Sequence, residues 1–135
     1  MASFVKFYSF VEALAEKKHD LGADTLKVAL TNIAPSLSNT QLSNITEVSY
    51  TYASSRTLTV TSSSQSSGVY SLVIQDLTIS ASGGSVGAFR YLVVYNDTSV
   101  NDLLIGYTDY GSSITLADGE YITIDFNASG LFSIQ

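Results

Sequence analysis

Cysteine and tryptophan are missing from the chain, and histidine, proline and methionine occur once each. Without cysteine there is neither a disulfide framework nor a thiolate metal site, and a single histidine, His19, cannot build a multi-histidine site. Charge is scarce as well: 13% of residues are charged, and 6 basic residues face 12 acidic ones for a net charge of -6. With a pI near 4.4, the surface opposes nucleic-acid phosphates and anionic membranes, so neither is expected as a partner. No window approaches the ~18 uncharged apolar residues of a membrane helix. The opening Met1-Ala-Ser-Phe-Val-Lys6 lacks the basic stretch and apolar run of a signal peptide. The expectation is a soluble protein folded in a cytoplasm, in which the Asn-X-Ser/Thr triplets at Asn44, Asn96 and Asn127 are ordinary turn sequences.

A chain of 135 residues is long enough for one domain that buries roughly two-thirds of its unfolded surface. Within it, charge divides two parts. Residues 1–27 balance Lys6, Lys17, Lys18 and Lys27 against Glu12, Glu16, Asp20 and Asp24. Beyond Lys27 only Arg56 and Arg90 face the remaining carboxylates. The predicted division is an amphipathic N-terminal helix or arm over 1–22 and a β-sandwich over 23–135, one domain overall. Phe7, Phe10, Val11, Leu14 and Leu21 recur at helical spacing over residues 4–21, with Ser3 as cap, Lys17, Lys18 and His19 at the negative dipole end and Gly22 as stop. Phe4, Val5 and Tyr8 widen the apolar face, so the helix is expected either to plug the sandwich or to dock on a neighbour.

The body reads as short strands. Phe89-Arg-Tyr-Leu-Val-Val-Tyr95 is apolar on both faces and belongs inside a sheet, and the polar loop 96–101 joins it to Leu103–Tyr107 as a hairpin. Thr25–Thr31 alternates, with Leu26, Val28 and Leu30 inward and Lys27 and Ala29 outward. Glu47–Tyr52 and Arg56–Thr61 read as a second hairpin, and Ser62–Gly68 as a mobile serine-rich tip before Val69–Ile74 and Leu77–Ile79. Asp109–Ser112 reads as a turn before a strand at Ser113–Leu116, and the Asp118-Gly119 turn precedes Glu120–Phe126 and Gly130–Ile134. The fold class predicted is all-β: an antiparallel β-sandwich or jelly roll of about eight to ten short strands with one N-terminal α-helix.

Four features of the sequence bear on chemistry. A nucleophile needs an adjacent base, and His19, on the predicted helix, is better explained by that helix's end than by catalysis or metal binding. Asp109, Asp118, Glu120 and Asp125 are candidates for paired-acid chemistry by number, but their turn and polar-face positions make them solvated carboxylates. The glycine-rich Ser82–Gly87 is followed by a strand and has no lysine, unlike a phosphate-binding loop. The nine tyrosines suit core, rim or contact positions. The expectation is a non-enzyme with no catalytic residue, cofactor or metal.

The stretches Phe4–Lys17, Leu26–Asn32 and Ile114–Gly130, with the central hairpin, resemble small structural proteins of tailed bacteriophages, closest to the head decoration or capsid cement family. Where such proteins often carry a glycine-rich turn after a tyrosine, this chain has Tyr52-Ala-Ser-Ser-Arg56. The resemblance implies a jelly-roll-type sandwich, assembled in the host cytoplasm, that binds the major capsid protein on the virion's outer surface and stabilises the head lattice. A homo-oligomer, dimer or trimer, is expected with it. A tail or neck component and a carbohydrate- or receptor-binding jelly roll are the alternatives. The expected partner-binding residues are Phe4, Phe7 and Tyr8 on the helix and Tyr50, Tyr52 and Arg56, where charge and aromatics meet.

Overall fold

The central hairpin forms as expected. In the computed structural model, which describes residues 4–127 and 130–134, β6 (Val86–Asn96) and β7 (Leu104–Leu116) pair antiparallel with Val93 opposite Tyr107 and Val94 opposite Gly106. With β1 (Val5–Lys6) and β2 (Leu26–Thr31) they make a four-stranded sheet in the order β1-β7-β6-β2. β6 is interior and buried on both faces: Phe89, Leu92 and Val94 enter the main core, while Val93 and Tyr95 enter a second cluster. Simple alternation would place Phe89 with Val93. A register shift between Phe89 and Tyr91 changes the parity and turns Phe89 to the main core.

Against this sheet lie β3 (Val60–Ser66), β4 (Val69–Ile74) and β9 (Ser133–Ile134), in the order β3-β4-β9, and the pair of β5 (Leu77–Ser80) with β8 (Tyr121–Ile124). Leu72, Ile74, Ile79 and Ile124 from these strands meet Leu26, Val28, Leu92 and Ile105 in one core. The result is an all-β, antiparallel, sandwich-like fold with a single short α-helix among the described residues.

The helix α1 covers only Tyr8–Ala15, not 4–21. Its predicted cap, Ser3, lies outside the described residues. Val5 and Lys6 pair instead with Tyr107 and Gly106, and Phe7 takes the N-cap position without a side-chain bond. The stop comes before Gly22: Lys17 adopts φ 69°, and Lys18 N–H donates to Ala13 O (2.8 Å) while Lys17 N–H donates to Leu14 O (3.3 Å). These are the two bonds of a Schellman motif, built on a lysine where glycine is usual.

Four other expectations are corrected. Ala29 is fully buried, because on the outer face of β2 it clusters with Phe7 and Ile45 beside its cross-strand neighbour Val93. Residues 47–58 form no hairpin; they run beside β2, with Val48 N–H on Leu30 O and Leu58 N–H on Leu26 O. Ser62–Ser66 is strand rather than mobile tip, pairing with β4 through the two-residue turn Ser67-Gly68, both at positive φ. The predicted turn at Asp109–Ser112 lies within the continuous β7, as a register jump between Asp109 and Ile114.

Candidate functional site

The N-terminal segment is half core and half surface. Phe7 and Phe10 are 0% and 1% exposed; Phe10 packs at 5.3 Å from both Phe132 and His19, and Phe7 at 5.6 Å from Tyr107. Phe4 is half-buried, stacked on Phe132 and seated over Gly106, where a Cβ would also fall 2.6 Å from Val5 O. Tyr8 and Val11, one turn apart, remain 69% and 60% exposed. Of the three predicted helix contacts, Tyr8 presents a free ring, Phe4 an edge, and Phe7 belongs to the core.

Tyr50 and Arg56 are brought together, but for an internal purpose. The Arg56 guanidinium lies 3.5 Å from the centre of the Tyr50 ring, and its Nη1 donates to Val28 O at 2.8 Å. The Tyr50 hydroxyl accepts from Leu30 N–H (2.9 Å) and donates to Glu47 Oε1 (2.7 Å). Burial raises the Tyr50 hydroxyl far above its ordinary range, against the lowering effect of the Leu30 N–H. This cluster pins the 47–58 segment to β2.

Tyr52 is 45% exposed and rests on Gly83-Gly84, where a Cβ at Gly84 would fall 2.5 Å from its ring. The same loop end gathers acids. Asp118 Oδ1 accepts from Gly83 N–H, Glu120 Oε1 accepts from Ala117 N–H, and the neighbouring Tyr121 is 69% exposed. Asp109 is held elsewhere by Arg90 in a two-pronged ion pair (2.8 and 3.1 Å), whose hydrogen bonds hold its carboxyl below the usual range. The four acids weighed for paired-acid chemistry are thus split between an ion pair, two turn caps and, for Asp125, an exposed strand-end position.

The polar centre that the sequence did not disclose is built on Asn96, which is fully buried. Its Oδ1 accepts from Thr98 and Ser99 N–H (3.0 and 3.2 Å), which orients the amide. Its Nδ2 therefore donates to Asp24 Oδ2 (2.7 Å) and His19 Nδ1 (2.9 Å). An accepting Nδ1 places the proton of neutral His19 on Nε2. That atom is buried without a partner among the described residues. Burial lowers the His19 pKa, with Asp24 opposing. His19 does not sit at the end of the helix, whose last turn holds no basic residue; it ties the post-helical loop to the hairpin. The available signal was one asparagine closing the apolar run Val93-Val94-Tyr95.

Compared with family models, curated proteins and solved structures, the chain matches none. Among the described residues, no group of three histidine, cysteine, aspartate or glutamate side chains is placed to hold a metal ion, and no helix is long and apolar enough to cross a membrane. Beside His19 opens a cleft of about 940 Å³, lined by Leu14, Lys17, Lys18, Tyr70 and Val100 among others.

Proposed function

We propose that this chain is a bacteriophage structural protein that binds the major capsid protein on the outside of the head, as a decoration or cement protein stabilising the lattice. The observation that carries the reading is the N-terminal segment, which is locked into the core by Phe7 and Phe10 while holding Tyr8 and Val11 outward. An apolar pair on a rigid base loses little conformational freedom on docking, and a sparsely charged surface is easier to desolvate than one coated with lysine and glutamate. The resemblance of both chain ends and the central hairpin to decoration proteins supports the same conclusion, with a homo-oligomer as the assembled form. The test is quantitative mass spectrometry of purified particles from the source phage. A copy number comparable with that of the coat protein is expected; a handful per particle would move the protein to the neck or tail, and absence would overturn the reading.

A second reading has one specific observation in its favour. Tyr52 and Tyr121 stand exposed on a loop end that also carries Asp118 and Glu120, an arrangement in which sugar rings stack on aromatics and hydroxyls reach carboxylates. A glycan array with wild type and Tyr121→Ala separates the two: a ligand lost in the variant supports sugar binding, and an empty array removes it.

A further inference from the structure

The edge of the three-stranded sheet is unusual in what it lacks. β3 is the outer strand of β3-β4-β9, and no backbone bond beyond those to β4 is formed by Ser62–Ser66 among the described residues. Edge strands present open N–H and C=O groups, and proteins ordinarily protect them with lysine, proline, inward charge or bulges. Here Ser62-Ser-Ser-Gln-Ser66 has neither proline nor charge, and the only irregularity is the register shift between Val60 and Ser62, before the regular stretch begins. The uncharged stretch extends well beyond the strand, because no charged residue occurs from Thr57 to Gln75. The whole β3–β4 hairpin is therefore neutral on a chain of net charge -6.

We infer that β3 pairs antiparallel with β3 of a second copy about a two-fold axis near Ser64, joining two three-stranded sheets into one. The choice of a second copy rests on charge. Two-fold pairing sets each residue opposite itself or a near neighbour, so any charge near the axis meets its own kind. Two copies that repel elsewhere can approach along this neutral edge. The hydroxyls add to it: Ser62 and Ser64 lie on one face with Oγ atoms 3.3 Å apart, and Ser–Ser neighbours across strands form hydrogen bonds. Because Ser63 is turned toward Tyr70, with Oγ to hydroxyl at 2.7 Å, the strand is held in one register before any partner arrives. One strand pair is a small contact, so the dimer is concentration-dependent. The inference deepens the homo-oligomer part of the reading above and does not depend on attachment to a capsid.

The test is sedimentation equilibrium of the full chain with Ser64→Lys and Ser64→Glu, exposed positions at which folding is checked by circular dichroism. Wild type is expected to rise from 14.4 kDa toward twice that mass with concentration. Each variant alone is expected to stay monomeric, and an equimolar mixture of the two to recover the dimer, which a misfolded variant could not do. A wild type that remains monomeric at about millimolar concentration overturns the inference, as does an oligomer that neither variant weakens or one that the mixture fails to restore. Co-sedimentation with capsids is read separately, so loss of head binding with an intact dimer would count against the proposed function alone.

Discussion

Asn96 concentrates more structural work in one side chain than any other residue described above. Its side chain makes four hydrogen bonds, accepting two from its own turn and donating two to residues far away in sequence, and their geometry fixes the tautomer of His19. Protonating His19 at Nδ1 would set a donor against the Asn96 Nδ2, and the amide cannot turn without abandoning Thr98 and Ser99. Folded His19 therefore resists the proton. Unfolded His19 takes it near its ordinary value of 6.5, whereas the folded form takes it only at lower pH. Between those two values the unfolded state binds more protons, so stability is fully present above 6.5 and falls as pH falls through the window. Asp24, close by, opposes the effect, and Lys17, Lys18 and Asp20 line the cleft beside the ring. The expected outcome is a lower urea midpoint at about pH 5.5 than at about pH 7.5, a range above the ordinary titration of carboxylates. His19→Gln should flatten that difference. Equal wild-type midpoints would sink the assignment.

At the scale of elements, a side chain takes the place of a strand. The Tyr50 hydroxyl accepts the Leu30 N–H, and Arg56 holds Val28 O by its guanidinium as well as by the neighbouring backbone bond from Val28 N–H to Arg56 O. Tyr50→Phe leaves the Leu30 N–H without its acceptor and is expected to cost about 1–2 kcal/mol. Amide exchange at Leu30 should accelerate more than at Leu92 on the paired β6; unchanged protection at Leu30 would show that the hydroxyl is dispensable. This substitution also explains what was legible beforehand. β6 and β7 declared themselves because both faces of Phe89–Tyr95 are apolar, which only an interior strand requires. The 47–61 stretch has alternation good enough for a hairpin, yet nothing in alternation shows that a tyrosine will occupy the edge of β2. The helix stops short of Gly22 because Lys17 adopts the left-handed conformation without being glycine, and Ser62–Ser66, polar throughout, is a strand because β4 pairs with it along its length. Among the partner-binding candidates, Tyr8 and Tyr52 stand exposed, whereas Phe7, expected within the helix, precedes it at the N-cap and is buried in the second cluster.

For the whole molecule, the N-terminal segment decides how docking can be tested. Were residues 1–22 a detachable arm, deleting them would leave a folded sandwich that had lost only its contact. The structure places Phe10 at 1% exposure within the main core and Phe7 at 0% in the second, and β1 adds its two residues to the four-stranded sheet. Phe10→Ala is expected to cost about 3–5 kcal/mol, a large share of the ~5–15 kcal/mol available to a small domain. Truncation would then destroy the fold along with the contact and say nothing about docking. The exposed pair offers the cleaner route. Tyr8→Lys with Val11→Lys changes only solvent-facing positions and is expected to stay within about 0.5 kcal/mol of wild type, so loss of capsid co-sedimentation by that folded variant can be charged to the surface. Thermal unfolding of the two variants side by side checks the premise: a Phe10→Ala protein melting close to wild type would return the segment to the status of an arm, and a double lysine variant that melts far below wild type would show that Tyr8 and Val11 already have a structural partner.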